Sequence, residues 1–540
     1  MRRLAKRIIL YCLAAACALG ATACGSLITG LTGSVLKVAC TSSIGSLNPL
    51  YSRDAEALQA LSLIYEPLVS YDAELGSAFR LAQNLSLSED GLTATYSLRE
   101  NIVWHDGTPF TADDVVWTYS FIKGNEGIGL SEYLGELEAV AALDAFTVVM
   151  GFSRPQAFSP AVAIPILPRH IWEEIGAEGA AAYKNEYPVG TGPMVFQKRT
   201  GSRLSLSKNP VYYGEEPGPD QIVFTHYRNE GELLLALRNG KADIAAALSP
   251  EAWESLRGAQ DIERVALPSL SVHVLGFNVS ESEGSRGSPL LRDRNLRQAL
   301  GWVLNRRLIV SSALSRLGSP GSVLIPDGMP AWQYALQEDE FAEGDVERAK
   351  SLLDESGYAN TAEDGVRELD GQRLEFRLFV SDASPKDADA ARIFAEAASR
   401  AGISIDISIM DDVSFGYTLS EAQAPDFDLF ITSYAADYPD PSRFMGLALS
   451  EGARNAAHYA NPDYDALYER QAAEMDREAR KGLLDEMQRM AYMDAAMLPI
   501  WYPFVLQAFR TDSWTGYRET PGGLIFGFTP DNYLKIRPAD

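Results

Sequence analysis

The chain has few residues of the kinds that form disulfides or bind metals. Its 540 residues include four cysteines and five histidines. Cys12, Cys17 and Cys24 fall within the first 24 residues, which leaves Cys40 alone in a strand-like segment. A lone cysteine in a strand is usually a small, buried hydrophobic residue. We therefore expect no disulfide. Because the histidines are scattered and lack cysteine support, we also expect no metal site and no cofactor.

The common short motifs of enzymes are absent as well. There is no G-x-S-x-G, no G-x-x-x-x-G-K-[ST] and no H-E-x-x-H. The pair His105-Asp106 has a structural explanation, because Asp106-Gly107 is a turn dipeptide and Thr111 with Asp114 is the pattern of a helix capping box. We expect a protein that is not an enzyme.

Positive charge is scarce relative to negative charge. The formal net charge is -26, which argues against binding to nucleic acid or to anionic lipid by electrostatics. With 46% hydrophobic and 22% charged residues, the composition is that of a globular protein. The length exceeds one ordinary hydrophobic core, so at least two domains are expected.

The N-terminus has the pattern of an export signal. A basic start precedes the apolar run Ile8–Ala16, which is too short to span a membrane, and the small residues Ala21-Thr22-Ala23 lead to Cys24. This is similar to a bacterial lipoprotein signal. It predicts a signal peptide over residues 1–23, lipid on the Cys24 thiol and a tether over residues 24–35. Cys17 is a rival for the processed cysteine, and ordinary secretory cleavage is the alternative.

A strand followed by an acidic turn lies at 427–444. Asp440 precedes Pro441, a pattern that favours a helix N-cap. Asp437 has no such local role. A carboxylate at the end of a strand can hold a cationic group such as a peptide α-amine, and a solvated turn residue is the equally weighted alternative.

The second half of the chain alternates helical and strand-like patterns. Helical periodicity covers Leu296–Leu308, Val346–Leu353 and Ala390–Ala401, and strand-like runs cover Leu374–Val380 and Ile403–Met410. Such alternation predicts parallel α/β packing. Asp345 and Gly357 are expected to cap the second of these helices.

Several segments, taken in order, resemble the large solute-binding proteins of ABC peptide importers, the family-5 or oligopeptide/dipeptide-binding type. These segments are Leu98–Val116, Pro188–Pro193, Lys208–Gly214, Leu233–Ile244, Leu275–Asn278, Arg292–Leu300 and Tyr434–Pro441. Tyr434 stands where many relatives carry tryptophan. The resemblance covers residues 36–535.

The resemblance implies an α/β, periplasmic-binding-protein-like fold with two main lobes, hinge strands between them and an inserted third lobe. Lobe I would comprise residues 36–65, 189–278 and 505–540. Residues 66–188 would form the inserted lobe II, and residues 279–504 lobe III. The hinge strands are expected near Val274–Asn278 and Trp501–Val505.

The resemblance also implies a function. The chain would be a monomeric substrate-binding lipoprotein, held by its lipid anchor in the periplasm or on the outer cell surface. It would capture short peptides by lobe closure and deliver them to the permease subunits of an ABC importer. The alternatives are the same fold with a non-peptide solute (a nickel chelate, an opine or an oligosaccharide), or a surface interaction or signalling protein without transport.

The ligand-site residues follow from the same resemblance. Asp437 would pair with the α-amine of the peptide, and the backbone of Ser433 and Ala435 would add the peptide as a strand. The opposing backbone would come from Arg53, Asp54 and Ala55. The aromatic candidates, for which core packing is the alternative, are Tyr51, Tyr434, Tyr438 and Trp501.

Overall fold

The computed structural model describes residues 33–72, 76–157, 164–337, 342–421, 423–436, 439–523 and 530–539. The predicted signal peptide, Cys24 and most of the predicted tether lie outside these residues. No helix within the described ranges is long and apolar enough to cross a membrane.

The α-helices of the described chain are α1 (Ala55–Ile64), α2 (Ala112–Lys123), α3 (Arg169–Ala180), α4 (Glu230–Arg238), α5 (Pro250–Ser255), α6 (Arg294–Val303), α7 (Arg306–Ser312), α8 (Val346–Glu355), α9 (Pro385–Arg400), α10 (Asp412–Ser420), α11 (Ser442–Met445), α12 (Pro462–Ala473), α13 (Arg477–Asp494) and α14 (Asp531–Lys535). Short 3-10 helices occur at Gly129–Leu134, Pro289–Arg292, Pro330–Trp332 and Gly446–Ala448.

The strands are β1 (Val35–Cys40), β2 (Val69–Tyr71), β3 (Ser77–Phe79), β4 (Ala82–Leu87), β5 (Thr93–Leu98), β6 (Leu137–Asp144), β7 (Thr147–Phe152), β8 (Met194–Thr200), β9 (Arg203–Lys208), β10 (Gln221–His226), β11 (Ile244–Ala245), β12 (Ile262–Pro268), β13 (Ser271–Phe277), β14 (Gly318–Pro320), β15 (Asn360–Thr361), β16 (Arg367–Leu369), β17 (Gln372–Arg373), β18 (Glu375–Ser381), β19 (Ser404–Met410), β20 (Leu429–Ala435), β21 (Met497–Arg510), β22 (Trp514–Thr515) and β23 (Arg537–Pro538).

One large mixed sheet organises the described chain. Its strand order is β19-β18-β20-β13-β21-β11-β1-β10-β9-β8, and β12 and β14 also pair with β21. A separate antiparallel sheet has the order β4-β5-β7-β6 and comes from the part of the sequence predicted to be inserted. The mixed α/β class is as predicted.

In the half of the large sheet that contains β18, β19 and β20, the first part of β20 is buried on both faces. Leu429 and Ile431 of β20 pack into one hydrophobic cluster, whereas Phe430 packs into a second cluster on the opposite face. Successive side chains of a strand point to opposite faces, so a continuous apolar run is what a doubly covered strand requires. β18 pairs in parallel with β19 and β20, which confirms the predicted parallel packing.

A single long strand, β21, joins the two halves of the sheet. Its residues 504–510 pair with β12, and its residues 497–501 pair with β13. The predicted crossing at Trp501–Val505 therefore agrees with the pairing. The other crossing was predicted too late in the sequence. The chain passes between the halves at Ser269-Leu270, because β12 and β13 pair with adjacent parts of β21.

Local helix signals were reliable where they involve caps. Thr111 and Asp114 form the predicted capping box, and the side chain of Asp345 accepts a hydrogen bond from the Arg348 N–H. The predicted helix Leu296–Leu308 is wrong as one element. It is divided into α6 and α7, and Asn305 caps the second helix by accepting from the Leu308 N–H.

The glycine-containing turn Pro188–Pro193 packs directly against the end of α1. The Gly190 N–H donates to Nδ1 of His105 at 3.2 Å, and Nε2 of the same ring lies 3.0 Å from the Gly192 carbonyl oxygen. His105 therefore holds the turn in place through Gly190 and Gly192, a structural role that its sequence context predicted. Burial lowers the pKa of His105 and favours the neutral ring that this pair of contacts requires.

Replacing Gly190 by alanine is expected to lower the free energy of unfolding by about 2–3 kcal/mol. A Cβ atom at this position would lie 1.8 Å from the Ile64 carbonyl oxygen, so the backbone of the turn has to move. Urea denaturation measures the change. Gly127→Ala is the matched control, because nothing lies within 4 Å of a Cβ at position 127. Equal stability of the two variants would contradict the close approach.

Candidate ligand-binding cavity

A cavity of about 510 Å³ lies between helix α1, the 3-10 helix Gly129–Leu134 and strand β21. Pockets of roughly 300–1,000 Å³ are the usual size for small ligands. Ala436, which directly follows β20, also lines the cavity. The cavity therefore brings together three segments that are far apart in sequence.

Helix α1 presents a polar stripe to the cavity. Glu56, Gln59 and Ser62 follow one another at intervals of three residues, which places them on one face of a helix. Ala60, Leu63 and Ile64 of the same helix pack into the core. The prediction of site residues missed this stripe, although its spacing in an otherwise apolar helix is visible in the sequence.

Glu66, just after α1, is a cavity-lining carboxylate that the protein itself satisfies. Its Oε1 accepts hydrogen bonds from the hydroxyls of Tyr212 and Tyr213 at 2.8 and 2.9 Å, and its Oε2 accepts one from Thr191 at 3.0 Å. Burial raises the pKa of Glu66, while these hydroxyl groups and the charge of Arg80 oppose the rise. The Glu66 side chain is therefore held in place as part of the cavity wall.

Two other charged groups of the wall are paired. Arg80 donates a hydrogen bond to Asp531 at 2.8 Å. Burial tends to raise the pKa of Asp531, but the contact with Arg80 lowers it, and the pKa is lowered overall. Glu132 lies 3.4 Å from the guanidinium of Arg443. The ion pairs span different segments of the chain and fix the shape of the cavity.

The end of β20 has an edge without a partner strand among the described residues. β18 pairs with β20 only as far as Ile431, whereas β13 continues along the other side to Ala435. Ser433 and Ala435 are exposed, and the Ala435 carbonyl accepts from Arg454 at 3.3 Å. The predicted peptide-binding backbone thus lies next to the cavity and has room for another strand.

The aromatic candidates differ in their surroundings. Tyr434 is half-buried beneath the guanidinium of Arg454, and burial raises its pKa to about 12. Tyr51 is half-buried against the core of the first half and does not line the cavity. Trp501 is 1% exposed and stacks on His273 with ring centroids 4.2 Å apart. Trp501 does not line the cavity but packs into a hydrophobic cluster, and its role as a ligand-site aromatic stays a prediction.

The opposing segment reaches the cavity in part. Arg53 and Ala55 line it, whereas Asp54 occupies the exposed N-cap position of α1 and makes no side-chain capping hydrogen bond. Asp437 and Tyr438 lie outside the described residues.

Asp440 has the capping role that the sequence predicted, and a second role besides. Its Oδ1 accepts from the Ser442 N–H at 2.9 Å, at the start of α11. Both of its carboxylate oxygens also accept from the Arg480 guanidinium, at 3.0 and 3.1 Å, and both side chains are buried. This pair anchors the turn that follows Ala436 to helix α13.

Cys40 is a free, buried cysteine. Burial first, and then the negative charge of Glu56, raise the pKa of its thiol to about 12, which favours the protonated form. The described residues contain no group of three or more histidine, cysteine, aspartate or glutamate residues that is placed to hold a metal ion.

A sequence model of the bacterial extracellular solute-binding proteins, family 5, matches residues 79–456, which is most of the chain. The chain belongs to this family. The description of the family is extracellular solute binding.

Individual relatives are distant but match over most of their length. The chain is 27% identical to Protein XP55 of Streptomyces lividans, over 89% of this chain and 87% of the relative. It is 24% identical to the oligopeptide-binding protein AppA of Bacillus subtilis, over 84% of each. Among solved structures, the periplasmic oligopeptide-binding protein of a Thermotoga maritima ABC transporter superposes with a TM-score of 0.81 at 21% identity, covering 94% of this chain and 100% of that one. This last likeness concerns the fold.

Asp440→Ala is expected to lower the free energy of unfolding by about 3 kcal/mol, because it leaves the buried Arg480 cation without its partner. Chemical denaturation measures the loss. Asp345→Ala provides the control, since Asp345 is an exposed N-cap whose removal should cost only about 1 kcal/mol. A loss at Asp440 no larger than that of the control would show that the ion pair contributes little.

Proposed function

We propose that this chain is the substrate-binding component of an ABC importer for short peptides. The observation that carries the proposal is the open edge of β20 at Ser433 and Ala435, directly beside the cavity. A peptide added there as a strand gains backbone hydrogen bonds whatever its sequence, and the cavity receives side chains. The relative named as an oligopeptide-binding protein supports the same class of ligand.

In this proposal the peptide lies between two backbones. Ser433 and Ala435 bind one side, and the segment from Arg53 to Ala55 binds the other. The Asp437 carboxylate pairs with the α-amine, as the resemblance to the family implies, and Tyr434 and Tyr438 border the site. Charge-assisted pairing of this kind fixes the register of a ligand that the backbone bonds alone leave free to slide.

Lobe closure is the proposed means of capture. Contacts between the proposed lobes II and III are already present, and one of them involves the cavity-lining residues Glu132 and Tyr133. Arg443 reaches Glu132 and the ring of Tyr133, and the Ala157 N–H donates to the Ala472 carbonyl at 2.8 Å. A ligand that bridges the lobes adds to these contacts and shifts the population towards the closed form.

The remaining parts of the proposal concern location. We propose export by the signal over residues 1–23 and a lipid anchor on Cys24, which hold a monomer at the outer face of a membrane near its permease.

Asp437→Ala is expected to weaken peptide binding by at least about 30-fold, because one partner of a desolvated charge pair is lost. Isothermal titration calorimetry with alanine peptides of two to six residues measures binding to the mature chain. Asp406→Ala is the control, as Asp406 is exposed on the edge strand β19.

Unchanged affinity in Asp437→Ala would reject the assignment of the α-amine site. Failure of the unaltered protein to bind any of these peptides would reject the peptide class. In that case a nickel chelate, an opine and an oligosaccharide would be the next ligands to titrate.

A further inference from the structure

Glu56 is a buried carboxylate for which the described residues provide no hydrogen-bonding or ion-pairing partner. Its residue is 6% exposed, and its side chain lies in the wall of the 510 Å³ cavity. Its carboxylate lines the cavity, and a ligand that displaces solvent there has to compensate the charge with a cation or with several hydrogen-bond donors. The structure therefore contains an acidic group without a partner among the described residues that faces the cavity.

The other charged residues of the cavity wall do not provide the missing partner. Arg80 forms an ion pair with Asp531. Arg443, which lies next to the cavity wall, forms an ion pair with Glu132. Arg53 also lines the cavity, but it is exposed and can remain hydrated, and it forms no ion pair with Glu56. The asymmetry between a hydrated cation and a buried anion favours a ligand that brings positive charge to Glu56.

We propose that Glu56 selects peptides with a basic side chain, by pairing its carboxylate with a lysine ammonium or an arginine guanidinium of the bound peptide. This inference rests on the proposed function and deepens it from peptides in general to a class of peptides. The neighbouring polar groups of the α1 stripe suit such a guest, because Gln59 and Ser62 line the same side of the cavity.

If Asp437 and Glu56 both bind one peptide and Asp437 takes the α-amine, then the cation that pairs with Glu56 has to be a side chain of the peptide. The α-amine is assigned to Asp437, which follows β20 in the sequence, whereas Glu56 lies on α1. A peptide strand sends alternate side chains to opposite sides, so one that lies along β20 can direct a side chain towards α1.

The test uses three pools of alanine peptides, three to six residues long, which carry one lysine, one norleucine or one glutamate at each position. Competition binding to the mature chain, read by native mass spectrometry, gives the relative affinities. The unaltered protein should retain the lysine peptides at least about tenfold better than the norleucine peptides, because a desolvated charge pair is worth that much or more. Glu56→Gln should abolish this preference and leave the norleucine peptides within about twofold of their original affinity.

Glu355→Gln is the matched control, because it makes the same chemical change at an exposed helical position far from the cavity wall, and it should keep the lysine preference. Retained binding of norleucine peptides by Glu56→Gln also shows that this variant is folded.

Three results would overturn the inference while leaving the proposed function intact. They are peptide binding without a preference for lysine, a lysine preference that survives Glu56→Gln, and an equal loss for all three pools. The last result would mean that Glu56 contributes to the binding of every peptide and not to the choice of a basic side chain. Failure of every pool to bind the unaltered protein would reject the proposed function itself.

Discussion

Strand β21 is the constraint on which the rest of the structure depends. Two ladders run along its 14 residues, one with β12 on the part near Arg510 and one with β13 on the part near Met497. Both halves of the large sheet are thereby built on the same backbone. Movement between them has to be taken up where the pairing changes partners, between Trp501 and Phe504 and at Ser269-Leu270 in the neighbouring strands. This arrangement keeps the cavity wall at Val505 and Gln507 fixed to the half that also holds α1.

Some polar groups of the cavity wall have hydrogen-bonding partners within the protein, and others do not. Glu66, Arg80 and Asp531 form a network with hydroxyl donors, and such networks rigidify a wall because each member depends on the others. The edge of β20 has no partner strand beyond Ile431, and the carboxylate of Glu56 has no hydrogen-bonding or ion-pairing partner among the described residues. A strand edge without a partner strand and a cavity-lining charge without a counter-ion are the two features that a bound peptide with a basic side chain would satisfy.

Local signals in the sequence predicted what local physics determines. The caps at Thr111, Asp345 and Asp440 depend on a few adjacent residues, and all three were found in the structure. The alternation of helices and strands in the second half likewise predicted its parallel packing. The division of the helix after Val303 was missed because the helical periodicity continues through Asn305, whose capping role was not recognised.

Contacts between residues that are far apart in the sequence cannot be predicted from such local signals. Asp440 forms an ion pair with Arg480, which lies 40 positions further along the sequence, and no local pattern near either residue predicts this pair. The burial of Trp501 against His273 depends on which strands flank β21, so no local signal predicted it. The position of the chain crossing at Ser269-Leu270 depends on the register of the same strand. Glu56 was overlooked because the importance of a polar residue in an apolar helix depends on what faces it.

The most direct test of the account is native mass spectrometry of the soluble form that begins after Cys24, purified from cells without denaturation. The account predicts protein ions that carry additional masses, and these masses should fragment as short peptides enriched in lysine or arginine. Ions of the bare chain alone, together with no thermal stabilisation by a mixture of such peptides, would contradict the claim that this cavity captures peptides.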